Sequence, residues 1–350
     1  MISKVFFYKR RLYLPETFKV TYEEVDSAEI IYIKIIDKDG NFGLGSVAVD
    51  EAVTGESLEA ADVALKEKLS VDFFCWPMEF WYHYHELIQD EFAGLPAVQS
   101  AIEEAVLNLF CQKKGITLVE LFGGYRRSCP ISITVCLKSL PATVRSVKER
   151  LRQGYRLIKL KGGLDWNDDC ARIQAVSKIL PSQAKLLIDL NQGYSYRQTE
   201  LFLRKIKNFP VCLIEQPVAA KDIESLKRLQ QLTAIPIIAD EAAVSVEQSS
   251  RLLIGNYING VNIKLIKCGG PINALKIYHL ARSLGKIVMI GCTYESNISI
   301  TTAASLALAL PIDYVDLDSG HLDFPKEPAR GGARFRRGGI SIAGPLRLII

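Results

Sequence analysis

Eight short apolar runs recur through the last two-thirds of the chain, and most of them carry a charged residue inside or at the C-terminal end. They are ISITVC (131–136), LIKLK (157–161), KLLIDLN (185–191), VCLIEQP (211–217), IPIIADE (235–241), GVNIKL (260–265), IVMIGCTYE (287–295) and DYVDLD (313–318). Between them lie stretches of helical period: Leu140–Arg152, Asp168–Ile179, Tyr196–Ile206, Ile223–Leu232, Val246–Leu253 and Ile272–Leu284. Near-continuous apolar strands that alternate with helices mean a parallel sheet buried on both faces. Eight such units predict a closed β/α barrel rather than an open sheet, within the α/β class.

The first part of the chain has a different texture. Val5–Leu14 and Ile30–Ile36 are β-branched and aromatic, Asp39-Gly40 marks a hairpin turn, and GLGS at 43–46 reads as a glycine-containing turn. Leu58–Leu69 and Val98–Lys114 read as helices, the second ending at Gly115. No phosphate-binding glycine pattern occurs. The expected organisation is an α+β capping domain over residues 1–125, a barrel over 126–322, and a segment over 323–350 that returns to the cap.

Composition narrows the class further. With 49% hydrophobic and 23% charged residues, the chain is of ordinary globular type. Its 43 Lys+Arg against 39 Asp+Glu are evenly spread, so no nucleic-acid partner is expected. Eight cysteines stand singly with no CxxC pair, as in a reducing cytoplasm. The opening MISKVFFYKRRLYLPE is broken by basic residues before a signal-peptide core can form. The apolar run Ala303–Ile312 falls short of the roughly 18 residues a membrane helix needs, so no membrane partner is expected.

The charges at the strand ends carry the chemistry. Lys159 and Lys161 are followed at one-unit spacings by Asp189, Glu215, Asp240, Lys264 and Glu295, and then by Asp316 and Asp318. A barrel gathers such residues at the C-terminal mouth of its sheet. Asp189, Glu215 and Asp240 are hard oxygen ligands on consecutive strands. They suit Mg²⁺ and lack the nitrogen and sulfur donors of a zinc site. Lys159 and Lys161, two residues apart, point to one side of their strand, and Lys264 comes from across the mouth. Lysines so close to one another and to a metal are expected to have depressed pKa values, as general bases require. Two such bases serve racemisation, epimerisation or elimination through an enediolate.

The segments IKLKGG, LIDLNQGY, LIEQP, IADE and VNIKLIKCGG resemble the enolase superfamily, muconate-lactonizing subgroup, over nearly the whole chain. The capping domain and the C-terminal GGARFRRGGISI are part of the resemblance. None of the four histidines falls on strands two to six, which disfavours a histidine-based member. The resemblance implies a Mg²⁺-assisted reaction with a lysine base. The Asp316–Asp318 pair is similar to the Asp-x-Asp by which dipeptide epimerases hold the α-ammonium of their substrate. Inversion at the α-carbon of a dipeptide's C-terminal residue is then implied. Lys161 and Lys264 would be the bases, Lys159 would stabilise the enediolate and Glu295 would support the pocket. The alternative is an o-succinylbenzoate synthase or N-succinylamino acid racemase, which needs no ammonium site. Homo-oligomers are common in this superfamily.

In such enzymes two capping loops, here near residues 17–26 and 48–56, read the substrate side chains. Members acting on Ala-Glu carry an arginine where this chain aligns Glu23. With Asp50 and Glu51 on the second loop, the expected preference is for dipeptides containing Lys or Arg. Ser46 and Asn108 replace a glutamate and an aspartate usual in the cap, a sign of a divergent capping domain.

Overall fold

A computed structural model describes residues 1–19, 21 and 23–349. Eight strands form one sheet in sequence order: Ser132–Val135, Leu157–Lys161, Lys185–Asp189, Val211–Glu215, Ile237–Ala239, Gly260–Ile263, Ile287–Gly291 and Tyr314–Asp316. Each lies within one of the eight apolar runs, and every neighbouring pair is parallel. Side chains bridge the seam between the first and eighth strands. The Ser132 hydroxyl donates to the Val315 carbonyl at 3.4 Å, and the Thr134 N–H donates to Asp318 Oδ2 at 2.6 Å. The result is a nearly closed barrel.

Alternation along the strands builds two separate apolar regions. Outward residues such as Ile158, Leu160, Ile188, Ile214, Val261 and Ile290 pack into the main core with the surrounding helices. Inward residues Leu187, Leu213, Ile238 and Met289 form a small cluster of their own. The first three sit two positions before Asp189, Glu215 and Asp240, so one face of each strand is apolar below and charged at its end.

The six expected helices are present, as Leu140–Arg152, Trp166–Ser177, Tyr196–Ile206, Ile223–Leu229, Val246–Ile254 and Pro271–Ser283. Asn297–Ala309 is a further helix that no amphipathic pattern announces. All of its residues are buried, so it is apolar round its whole circumference. Among the described residues no helix is long and apolar enough to cross a membrane.

The cap is an antiparallel sheet of Ile2–Lys19, Glu24–Asp37 and Phe42–Val47. Ile31, Ile33 and Ile35 face the helices Leu58–Lys68, Trp81–Glu91 and Pro96–Lys114. Ile30, Tyr32 and Leu44 face Ile298, Phe324, Ala329 and Leu346. Burial on both faces explains why Ile30–Ile36 shows no polar alternation.

GLGS at 43–46 is not a turn but the body of the third cap strand. Its glycines let that strand lie directly on the helix Pro96–Lys114. A Cβ at Gly43 or Gly45 would penetrate the Ala105 or Ala101 carbonyl. Ser46 then finds a place at the seam between cap and barrel. Its hydroxyl lies 2.8 Å from that of Ser299, which donates to buried Glu104 at 3.1 Å. Asn108 donates to the Leu44 carbonyl at 3.3 Å. GGARFRRGGISI forms a hairpin that pairs with Ser128–Pro130 at the entry to the barrel, while Phe324, Ala329 and Leu346 make the contact with the cap.

Because the Ala101 carbonyl belongs to helix backbone and cannot move aside cheaply, Gly45→Ala is expected to destabilise the protein by about 2–3 kcal/mol. Urea unfolding checks this, with Gly40→Ala as a control for positive-φ strain without steric conflict.

Candidate active site

Strand register sets the site. Lys161 lies beside Asp189 and Asp189 beside Glu215, while Asp240 and Lys264 follow directly on the fifth and sixth strands. Lys159 Nζ donates to Asp316 Oδ2 at 2.7 Å and lies 2.9 Å from both Asp189 Oδ2 and Glu215 Oε2. Lys161 Nζ donates to Asp189 Oδ2 at 2.8 Å and to Asn191 Oδ1 at 2.9 Å. Lys264 Nζ lies 2.8 Å from Asp240 Oδ2. Two ammonium groups are thus held on separate carboxylates at opposite sides of one mouth.

Above them is a cavity of about 380 Å³. It is lined by Lys159, Lys161, Lys264, Asp316 and Asp318 from the barrel and by Glu23, Asp50 and Glu51 from the cap. Asp189, Glu215 and Asp240 are buried around the lysines. The cap tip rests on the rim, where the Thr21 hydroxyl donates to the Gly162 and Leu190 carbonyls at 3.5 Å. Of the first loop, positions 20 and 22 lie outside the described residues. The second loop is anchored by Glu56, whose carboxylate accepts the Ala97 and Val98 N–H groups at 2.7 and 3.2 Å. It caps a helix whose own N-terminal residue, Leu95, offers no acceptor.

Three details differ from the sequence expectation. Glu295 does not line the cavity. It is buried behind it, accepting the Thr293 N–H at 2.9 Å, and burial pushes its carboxyl up to about 7. Asp316 and Asp318 are not equivalent. Asp316 is engaged by Ser132 and Lys159, whereas Asp318 spends one oxygen on the Thr134 N–H. In the metal-free protein the Lys159 and Lys264 pKa values are raised rather than depressed. Burial pulls Lys159 down, but Asp189, Asp316 and Glu215 outweigh it and hold it well above the ordinary value; Asp240 and Glu215 do the same for Lys264.

Several site residues stand outside the strand-end spacing. Lys267, one helical turn beyond Lys264, grips Asp240 through both the carboxylate and the backbone carbonyl. Together with Lys264 it overcomes burial and holds Asp240 well below the usual range. Asn262 donates to Glu215 Oε1 at 2.7 Å. Gln216, at φ 35°, accepts the Asp240 and Ala242 N–H groups at 3.0 and 3.1 Å and so fixes the neighbouring loop. Behind Lys161, Arg172 donates to its carbonyl at 2.9 Å and pairs with Asp169, which also receives Tyr194. In the adjoining KGG, Gly163 (φ 104°) lies against the Leu190 carbonyl, where a side chain has no room.

The residues suit a hard divalent cation. Among the described residues no three acid, thiol or imidazole groups form a closed cage, because the Lys159 ammonium stands between the acids. Yet the donors are all oxygen, and carboxylates outnumber lysines. Asp189, Glu215, Asp240, Glu241, Asp316 and Asp318 face Lys159, Lys161, Lys264 and Lys267. Among the described residues Glu241 Oε2 accepts no hydrogen bond, and Glu215 Oε2 has only its ion pair with Lys159. Burial and Asp189 push Glu215 up to about 8, and burial with Asp240 pushes Glu241 up to about 7, as uncompensated negative charge would.

Residues 142–343 match the enolase C-terminal domain-like family. The chain belongs to that family. An L-Ala-D/L-Glu epimerase of Clostridium acetobutylicum is 31% identical over 330 residues, 93% of this enolase-like chain and 92% of its own. An L-Lys-D/L-Arg epimerase of Desulforapulum autotrophicum is 29% identical over 339 residues, covering 96% and 95%. Among solved structures, a substrate-liganded L-Ala-D/L-Glu epimerase from Bacillus subtilis superposes with a TM-score of 0.94 at 28% identity, covering 98% and 97%. A dipeptide epimerase from Methylococcus capsulatus, complexed with Mg and L-Arg-D-Lys, gives 0.92 at 28%, covering 99% and 98%. An N-succinyl Arg/Lys racemase from Bacillus cereus gives 0.93 at 25%, covering 99% and 95%.

The raised acids fix a pH dependence. Glu241 is protonated in the folded, metal-free protein up to about pH 7 but ionises near 4.5 when unfolded. Its stabilising contribution is complete below the unfolded value and is lost as pH rises through the folded one. Metal-free protein is therefore expected to melt at lower temperature at pH 8 than at pH 5.5. Glu241→Gln should flatten that slope, as followed by circular dichroism with chelator present.

Proposed function

We propose that this chain is a Mg²⁺-dependent dipeptide epimerase that inverts the α-carbon of the C-terminal residue by two-base 1,1-proton transfer. One observation carries the reading: Lys161 and Lys264, tethered to separate carboxylates, face a single cavity from opposite sides. A base on each side of one carbon is what inversion requires.

Asp189, Glu215 and Asp240 are the residues to hold the metal. When bound, Mg²⁺ supplies positive charge beside the substrate carboxylate, where an enediolate needs it, and draws counter-charge away from the lysines. The lysine on one face, unprotonated, takes the α-proton. Charge moves from the α-carbon into the carboxylate, where Lys159 neutralises part of it. The protonated lysine opposite then delivers its proton to the other face. The two lysines finish with protonation states exchanged. Asp318, backed by Asp316, accepts the substrate's α-ammonium.

The family also contains N-succinylamino acid racemases. An o-succinylbenzoate or N-succinyl substrate brings no ammonium to this wall, and the uncompensated acids there favour the dipeptide. Residues 1–125 and 323–350 supply closure in this reading, and 126–322 supply the chemistry. A cytoplasmic location fits eight cysteines with no disulfide.

In D₂O with Mg²⁺, an L,L-dipeptide is expected to gain one mass unit as its epimer appears, and chelation should stop both. Lys161→Ala and Lys264→Ala should each lower epimerisation by about 10²–10⁴-fold. Each variant should still exchange the α-proton of one epimer, because the surviving lysine serves its own face. Exchange of both epimers by either variant counts against two-base transfer.

Glu23 is half-buried, close to Asp50 and to both lysines. Its carboxylate favours a cationic substrate side chain. Glu23→Arg is expected to raise the turnover of Ala-Glu relative to a Lys- or Arg-containing dipeptide, measured as a ratio of kcat/KM.

A further inference from the structure

The acids of the cavity wall fall into two groups. Glu23 and Asp50 stand over the reacting lysines: Glu23 feels Asp50, Lys161 and Lys264, and Asp50 feels Lys264 and Asp240. Asp323 lines the same cavity elsewhere, on the segment that follows the eighth strand. Its charged neighbours are Asp318 and, more weakly, Arg150, and it hydrogen-bonds Ser319. Among the described residues, the cavity lysines pair with Asp189, Glu215, Asp240 and Asp316, and none pairs with Asp318 or Asp323. Burial and Asp318 push Asp323 up to about 7. A partly buried acid beside another acid, with only the weaker influence of Arg150 and no ion pair to offset it, is a poor structural element but a good receptor for a cation.

The substrate's own connectivity says which cation. On the epimerase reading the C-terminal α-carbon lies between Lys161 and Lys264, and the peptide bond leads from it toward the ammonium at Asp318. The carbon that bears that ammonium also bears the N-terminal side chain. The carboxylate next to Asp318 is Asp323.

We infer that Asp323 is a specificity-determining residue for the N-terminal residue of the dipeptide and selects a cationic side chain there. Glu23 and Asp50 act separately on the C-terminal residue. The two ends of the cavity are then acidic independently, and a doubly cationic dipeptide is the best substrate class. This rests on the epimerase reading and adds to it a division of labour.

The test is α-proton exchange in D₂O with Mg²⁺ on L-Lys-L-Arg, L-Leu-L-Arg, L-Lys-L-Leu and L-Leu-L-Leu, for wild type, Asp323→Asn and Glu23→Gln. Wild type is expected to prefer Lys over Leu at the N-terminal position by at least about tenfold in kcat/KM. Asp323→Asn should abolish most of that ratio while the C-terminal ratio moves less than about twofold, and Glu23→Gln should do the reverse. The inference is overturned if wild type shows no N-terminal preference. It is also overturned if Asp323→Asn keeps that preference or moves both ratios alike. Exchange with an N-succinylamino acid but with none of the four dipeptides overturns the epimerase reading itself, a result distinct from the others.

Discussion

Everything at the mouth of the barrel depends on one electrostatic arrangement, the interleaving of lysine ammonium groups with strand-end carboxylates. Neither set tolerates burial alone. Burial by itself pulls Lys159 down and pushes Glu215 up, and each is retained because the other sign stands within hydrogen-bonding reach. Parallel strand register makes this possible, since it places Lys161, Asp189 and Glu215 at one level on adjacent strands. The balance remains incomplete, with carboxylates in excess. That excess makes the site receptive to a divalent ion and to a cationic substrate.

The cap is fitted to this arrangement largely through backbone contacts, with the Glu16–Lys138 ion pair beside them. Glycines at 43 and 45 bring a strand onto helix backbone, Glu56 ties the acidic loop to the start of that helix, and Thr21 touches two carbonyls on the barrel rim. The acids Glu23, Asp50 and Glu51 are thereby held over the lysines by a framework that owes nothing to those acids. Such a framework can change its specificity residues without changing its fold.

The barrel was legible because its signal is periodic twice, in apolar runs and in the charges that end them. The three acids and three lysines were found from that register. The limits of the reading are physical too. Helix Asn297–Ala309 shows no stripe because it has no exposed face. GLGS looks like a turn because local propensity cannot register a helix packed against a strand. The lysine pKa values depend on the balance between burial and the carboxylates that surround each ammonium, which residue spacing does not reveal. Lys267 was in view within IKLIKCGG, but only the short helix Leu265–Cys268 turns it back onto Asp240. Asp323 lies past the last strand, where no period points to it.

The small apolar cluster of Leu187, Leu213, Ile238 and Met289 has a consequence for traffic through the molecule. It stoppers the floor of the barrel, so the reaction chamber is a cul-de-sac. Whatever arrives between the lysines must depart by the same doorway, past the acidic tip of the cap. Incoming ligand and finished epimer therefore queue for a single aperture, and they differ only in the hand of one carbon. A chiral chamber can bind and release the two diastereomers at different rates, but it cannot shift their equilibrium in solution. Its direction of flow is set by whichever neighbouring process removes an epimer from solution.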